Sequence, residues 1–119
     1  MTRTLYERLG STEGITKIVS DLVDNHLKNA KISARFSGSD IPALKRKAAE
    51  FFIAGSGGPP VYAGKDMLDV HRHMNISDGE YMAMVDDAMD ALAASGVGDD
   101  SKAEVLFIFH SLRPQVVGV

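Results

Sequence analysis

The sequence predicts an all-α fold. Apolar residues recur at helical spacing, capping signatures precede most of the apolar runs, and no segment alternates apolar and polar residues as a half-buried strand does. The chain has 119 residues. This length predicts one domain over residues 1–119, with enough chain to bury one core.

Two helices are predicted at the N-terminus. Thr4 and Glu7 stand at the spacing of a capping box, so a short helix is expected to begin there and to stop at Gly10. Ser11 or Thr12 is expected to cap the next helix. The apolar stripe of this second helix contains Ile15, Ile18, Val19, Leu22, Val23 and Leu27, with His26 in the same stripe.

A third long helix is predicted in the middle of the chain. A short segment over residues 32–36 precedes it, Ser39 or Asp40 is expected to cap it, and Pro42 suits its first turn, where no amide donor is needed. The glycine- and proline-rich residues 55–60 end it. Its apolar face contains Leu44, Ala48, Phe51 and Phe52.

The second half of the chain predicts three more helices. A short helix after the loop carries Met67, Val70, His71 and Met74 on one face. Capping boxes at Ser77/Glu80 and Ser101/Glu104 predict the starts of the last two helices, and Pro114 is expected to end or kink the final one. The apolar residues of these two helices are Tyr81, Met84, Val85, Ala88, Leu92, Val105, Ile108, Phe109 and Leu112.

Composition excludes several classes of function. The net charge is −3 and no run of Lys or Arg exceeds the three residues Lys45-Arg46-Lys47, so neither a nucleic acid nor a membrane surface is expected as partner. The absence of cysteine excludes disulfides, thiolate zinc sites, iron–sulfur clusters and haem attached through a C-x-x-C-H motif. No signal peptide or membrane-length apolar run is visible, which predicts a cytoplasmic protein.

Four histidines carry the remaining chemistry: His26, His71, His73 and His110. His71 and His73 are two residues apart on a predicted helix, so they cannot share one metal ion. His71 lies in the apolar stripe of the short helix. Periodicity alone favours a buried structural histidine there, and the alternative is an axial ligand to a flat apolar cofactor such as haem.

The loop and short helix of the second half resemble the truncated haemoglobins of group N (group I). The similarity lies in Gly57-Gly58-Pro59, then Tyr62-x-Gly64, then Met67-x-x-x-His71, where the family's histidine is the proximal iron ligand. Further similarity lies in residues 5–10 (LYERLG), in residues 36–38 (FSG) and in residues 96–97 (GV). It therefore covers nearly the whole chain and implies a truncated globin domain, a two-over-two helical sandwich.

The resemblance also implies a site for haem b, iron protoporphyrin IX, bound without a covalent link. His71 is the implied metal ligand, Phe36 is expected to stack on the ring, and Lys47 and Arg72 are expected to reach its propionates. The alternative for both cations is a solvated face, and a deprotonated Lys47 is a further candidate for the sixth iron site. The other implied haem contacts are Leu44, Ala48 and Phe51 on the distal side and Met67, Ile76, Tyr81 and Met84 on the proximal side or rim.

The distal side departs from the family pattern. Where group N proteins usually have a tyrosine on the second helix, this chain has Val23, and where they tend to have a glutamine on the third, it has Ala48. Leu44 is apolar too, so the predicted ligand pocket of Val23, Leu44 and Ala48 offers no hydrogen-bond donor. The second glycine after the first helix is replaced by Ser11, and His26 replaces a residue that is usually apolar.

The function implied is reversible binding of the diatomic gases O₂, CO and NO, in a monomeric oxygen-transport or sensor protein served by a reductase. A haem enzyme, either a nitric oxide dioxygenase or a peroxidase-like protein, is the alternative. The donor-free distal side argues against it, because these reactions favour a polar distal group. A cofactor-free helical interaction module is the second alternative.

Overall fold

The structure is a computed structural model that describes residues 3–119. Over this range the regular structure is helical, and the only β-type pairing is an isolated bridge between Ile76 and Val117. The all-α prediction is confirmed. The helices are α1 (Leu5–Arg8), α2 (Ser11–Lys28), α3 (Ile41–Gly55), α4 (Met67–His71), α5 (Asp78–Ala94) and α6 (Asp99–Leu112), with short 3₁₀ helices at Ser33–Phe36 and Arg113–Gln115.

Three helix starts follow the predicted capping chemistry. The Thr4 hydroxyl accepts a hydrogen bond from the Glu7 amide at 3.1 Å, and the Ser77 hydroxyl accepts one from the Glu80 amide at 3.1 Å; both pairs form complete capping boxes. At α3, Asp40 is the cap and Pro42 lies in the first turn. Each cap satisfies an amide that the helix itself leaves without an acceptor.

The start of α2 differs from the prediction. Gly10 has a φ of 98° and is the residue before the helix, so neither Ser11 nor Thr12 caps it. The Thr12 amide instead donates to the Tyr6 hydroxyl at 3.1 Å. Ser11, at the position of the second family glycine, has a φ of 61°, a left-handed conformation that a residue with a Cβ adopts at a cost of roughly 1–2 kcal/mol.

The start of α6 and the end of α4 also differ from the prediction. Helix α6 begins at Asp99, after Gly98, so Ser101 lies inside the helix rather than capping it. Ser101 is buried, and its hydroxyl accepts a hydrogen bond from Arg8 Nη1 at 3.0 Å, which ties α1 to α6. Helix α4 ends at His71, so Met74 lies beyond it rather than on its face.

Helix α2 is the centre of the packing. It packs against both α3 and α5, while α6 packs on α5 and α1 contacts α2 and α6. Its side chains Ile15, Val19 and Val23 are the most deeply buried large residues of the described chain. The apolar stripe predicted for α2 is buried except at Leu27, which is 39% exposed near the end of the helix. No helix within residues 3–119 combines the length and the apolar character needed to span a bilayer.

The close approach of α1 to α2 gives a stability test at Gly14. A Cβ at this position would lie 2.3 Å from the Leu9 carbonyl oxygen, a backbone atom that cannot move aside. We expect Gly14→Ala to lower the free energy of unfolding by about 1–3 kcal/mol, the usual cost of overpacking. Urea unfolding followed by circular dichroism measures it.

The control is Gly79→Ala in the first turn of α5, where the nearest atom to an added Cβ is Ser77 Oγ at 3.9 Å. This variant is expected to be neutral or up to about 1 kcal/mol more stable, because alanine restricts the unfolded chain. Equal stability of the two variants would contradict the tight α1–α2 contact.

Candidate functional site

An apolar cavity of about 360 Å³ lies among the helices. Residues of α2, α3, α4, α5 and α6 line it, together with the 3₁₀ helix Ser33–Phe36 and Val116 near the C-terminus. Among the residues predicted for the site, those that line this cavity are Val23, Phe36, Leu44, Lys47, Ala48, Phe51, Met67, His71, Ile76, Tyr81 and Met84.

His71 lines this cavity, and one of its ring nitrogens has a hydrogen-bond partner. Its Nδ1 lies 2.8 Å from the Met67 carbonyl oxygen, one helical turn earlier. Because a carbonyl oxygen only accepts, Nδ1 carries the proton and Nε2 carries a lone pair. Nε2 has no hydrogen-bond partner in the described chain, and the half-buried ring borders the cavity. A neutral imidazole oriented in this way is the usual form of a histidine metal ligand.

The chain turns sharply after His71, which confines α4 to little more than one turn. His73 and Asn75 have φ angles of 71° and 49°, and the Asn75 amide donates to the Val119 carbonyl at 2.9 Å. Val70 and Met74 line the cavity, yet they are 43% and 37% exposed. Apolar side chains left open in this manner mark a surface on which a ligand packs.

Three of the side chains that α2 and α3 contribute to the cavity wall form its predicted ligand pocket, and all three are apolar. Val23 is 2% exposed, and Leu44 and Ala48 pack against the core from α3. None of these three side chains contains a hydrogen-bond donor. A ligand bound beside Val23, Leu44 and Ala48 contacts only the hydrocarbon groups of these side chains.

An ion pair joins two walls of the cavity. Arg35, in the 3₁₀ helix Ser33–Phe36, binds Glu80 at the start of α5 through two nitrogens, one of them Nη2 at 2.9 Å from Oε1. Arg35 Nη1 also donates to the Met74 carbonyl at 3.1 Å. The guanidinium, helped by a backbone hydrogen bond from Ser77, lowers the pKa of Glu80 to about 2.

The remaining polar groups at the cavity differ in their partners. The Tyr81 hydroxyl donates to the Phe109 carbonyl, and burial raises its pKa. Lys47 is exposed at the edge of the cavity. Arg72 is the one predicted site residue that does not line it. Its side chain is half exposed and lies 3.5 Å from Asp69, so contact with a propionate remains a prediction for this residue.

The sequence predicts no role for His26, whereas in the structure this side chain has defined contacts. The ring lines the cavity, is 5% exposed and places Nδ1 2.7 Å from Asp87 Oδ2 on α5. Burial lowers the pKa of His26, and the hydrogen bond to Asp87 partly opposes that shift. The signal in the sequence was a polar side chain inside an apolar stripe, but its partner lies 61 residues away.

An all-helical chain whose apolar cavity contains an oriented histidine has the architecture of a globin. Comparison with known proteins identifies the family. The model of the bacterial-like globin family matches residues 4–117. A group 1 truncated hemoglobin of Mycolicibacterium paratuberculosis is 31% identical over 95% of this chain and 83% of its own length. This chain therefore belongs to the group 1 truncated haemoglobins, a family that binds haem and diatomic gases.

Solved structures agree on the fold. The truncated hemoglobin of Tetrahymena pyriformis in its Fe(III) form has a TM-score of 0.94 and 24% identity, over 98% of this chain and all of that chain. The group II truncated hemoglobin of Bacillus anthracis has a TM-score of 0.90 and 21% identity, over 100% and 94%. The 2/2 hemoglobin of a Synechococcus species, crystallised with covalently attached haem, has a TM-score of 0.86 and 22% identity, over 93% of this chain and 94% of that chain. The two-over-two sandwich is confirmed.

The Arg35–Glu80 pair gives a test of pH dependence. A folded-state pKa near 2, below the ordinary value of 4.5, means that the pair stabilises the fold above about pH 4.5 and loses this effect as pH falls towards 2. Glu80→Gln is therefore expected to lower the urea midpoint equally at pH 7 and pH 5, and by less at pH 3.

Glu13→Gln is the control, because Glu13 is exposed and makes no side-chain hydrogen bond in the described chain. Its midpoint is expected to follow the wild type at all three pH values. A Glu80→Gln effect of the same size at pH 3 as at pH 7 would contradict the low pKa.

Proposed function

We propose that this chain binds haem b non-covalently in the cavity, with His71 Nε2 as the proximal iron ligand. The observation that carries the proposal is the His71 ring, which lines an apolar cavity, whose Nδ1 is bound to the Met67 carbonyl and whose Nε2 has no hydrogen-bond partner in the described chain. Bound haem supplies an iron atom that binds diatomic gases. The chain supplies the ligand that holds the iron and the apolar walls that exclude water from it.

The residues of the cavity fit such a group. Phe36 and Phe51 line the cavity as aromatic groups that could pack on a flat ring, and Phe51 and Tyr62 pack edge to face with ring centroids 5.2 Å apart. Lys47 at the cavity edge supplies a cation for a propionate. Since the chain has no cysteine, a thioether link to haem cannot form. Further contacts to the ring are proposed for Leu44, Ala48, Met67, Ile76, Tyr81 and Met84, and a propionate contact for Arg72.

We propose reversible binding of O₂, CO and NO beside Val23, Leu44 and Ala48. Iron-bound oxygen carries negative charge on its outer atom, and a donor in a dry pocket stabilises that charge. These three side chains give none, so oxygen is expected to leave quickly and the iron to oxidise readily. A monomeric carrier or sensor with these properties needs a reductase as partner to restore ferrous iron.

The ligand assignment is tested by changing single histidines. We expect His71→Ala to lose haem or to hold it weakly, because no other imidazole takes its place at α4. His73→Ala and His110→Ala, at exposed positions, are the controls and are expected to keep it. Visible spectra of the ferric, ferrous and carbon-monoxide forms are the measurement. A normal five-coordinate histidine spectrum from His71→Ala would refute the assignment, and a colourless wild-type protein would refute haem binding altogether.

The apolar pocket is tested by adding the missing donors. A hydrogen bond to bound oxygen is worth about 1 kcal/mol, or about 1.5–3 kcal/mol if it is charge-assisted, and about 1.4 kcal/mol is tenfold in affinity, most of it in the dissociation rate. Val23→Tyr and Ala48→Gln are each expected to slow oxygen release about tenfold, provided the new group reaches the ligand. Carbon monoxide, which is less polarised when bound, is expected to change less.

Stopped-flow measurement of oxygen dissociation decides this prediction, with Val23→Phe as the control that adds a ring without a hydroxyl. If the wild type releases oxygen slowly, and neither Val23→Tyr nor Ala48→Gln changes that rate, another donor already reaches the bound oxygen.

A further inference from the structure

His26 is held rigidly at the cavity wall by two contacts. Its Nδ1 lies 2.7 Å from Asp87 Oδ2, and its ring stacks on Phe36 with a centroid distance of 5.5 Å and an interplanar angle of 16°. Both members of the polar pair are buried, with 5% of His26 and 7% of Asp87 exposed. The ring plane and its direction are therefore fixed by the fold.

The neighbours of Asp87 determine where the proton of His26 lies. Asn29 Nδ2 donates to both carboxylate oxygens at 3.2 Å, and Asn25 Nδ2 donates to the Asp87 main-chain carbonyl at 3.1 Å. The carboxylate is therefore the acceptor at both oxygens, so His26 Nδ1 must donate. Burial disfavours the charged ring and lowers its pKa, which leaves His26 neutral at neutral pH with a lone pair on Nε2.

This lone pair borders the cavity. Nε2 has no hydrogen-bond partner in the described chain. Every side-chain nitrogen or oxygen that is fully enclosed in the described chain does have one. Nε2 must therefore border open space, and the open space that this buried ring lines is the cavity. The charged groups that line the same cavity are Arg35 from the 3₁₀ helix, Lys47 from α3 and Glu80 from α5, and Arg35 and Glu80 bind each other.

We propose that His26 Nε2 accepts the proton of a small protic ligand, H–X, that enters the cavity, with Asp87 stabilising the imidazolium that forms. The H–X bond breaks, the proton moves to Nε2, and the electron pair remains on X, which binds as the anion. His26 is one turn of α2 beyond Val23, so it adds a proton acceptor to a wall without donors. The inference rests on the proposed function, because the anion binds at the iron that His71 holds.

The probe is hydrogen cyanide, which is protonated at neutral pH and binds ferric haem as the anion. Stopped-flow association to the ferric holoprotein is compared for the wild type, His26→Leu, Asp87→Asn and His110→Leu. Leucine removes the base. Asparagine keeps an oxygen for Asn29 and turns its amide towards Nδ1, which moves the ring proton to Nε2.

Both variants are expected to bind cyanide at least about tenfold more slowly, since a positioned base contributes about 10²–10⁴-fold. The wild type is expected to bind cyanide more slowly in D₂O than in H₂O, and both variants are expected to lose this difference. Carbon monoxide has no proton, so its association with the ferrous forms is expected to change less than about twofold. His110→Leu, which alters an exposed histidine of α6, is expected to match the wild type in every measurement.

Nitrogen-15 NMR of the diamagnetic carbon-monoxide form gives a second readout, with the His26 proton expected on Nδ1 in the wild type and on Nε2 in Asp87→Asn. Unchanged cyanide rates, an equal loss of carbon-monoxide association, or a wild-type proton on Nε2 would each overturn the proposal. If His26→Leu does not retain haem, Asp87→Asn decides. A wild type without a haem spectrum would instead refute the proposed function itself.

Discussion

The cavity is the constraint around which the rest of the chain is arranged. Its lining comes from five helices, yet the side chains of the described residues leave a volume of about 360 Å³ among them. Interiors normally pack without such voids, and apolar surface open to water costs about 25 cal/mol per Å². Val70 and Met74 on the cavity wall are among the exposed large hydrophobics of the fold. A ligand that fills the cavity therefore completes the core, which couples its binding to folding stability.

Two polar pairs, here called clamps, join walls of this cavity to one another. Arg35 and Glu80 join the 3₁₀ helix to α5, and His26 and Asp87 join α2 to α5 inside the core. The two clamps differ in kind. The first lies at the surface, where water screens the charges, whereas the second is buried, so loss of one partner leaves an unsatisfied group at a much greater cost. Asn29 completes the hydrogen bonding of the Asp87 carboxylate, which makes this buried charge tolerable, and Asn25 donates to the Asp87 main-chain carbonyl.

Helix starts show what the sequence predicts and what it does not. Thr4 and Ser77 are caps as predicted, and of the two residues predicted for α3, Ser39 and Asp40, the cap is Asp40. Each of these caps acts on an amide only three residues further along the chain. The starts of α2 and α6 follow Gly10 and Gly98 instead. There the amide of Thr12 finds the hydroxyl of Tyr6, and Ser101 meets Arg8 from across the molecule. Such contacts depend on tertiary packing. The family resemblance predicted 11 of the 23 residues that line the cavity. It could do so because it carries information about contacts between distant parts of the chain, which sequence spacing does not.

Periodicity placed His71 and His26 alike in apolar stripes, and the structure gives both rings the same arrangement. In each, Nδ1 lies at hydrogen-bond distance from an acceptor, Nε2 has no hydrogen-bond partner in the described chain, and the residue lines the same cavity. The two histidines differ in the acceptor that binds Nδ1. A neutral carbonyl orients the ring of His71 and leaves a lone pair suited to a metal. The carboxylate of Asp87 is an anion, so it stabilises the imidazolium that appears when His26 takes up a proton. Two histidines thus line one cavity, and the acceptor bound to Nδ1 suits His71 to the proposed iron ligation and His26 to the proposed proton transfer.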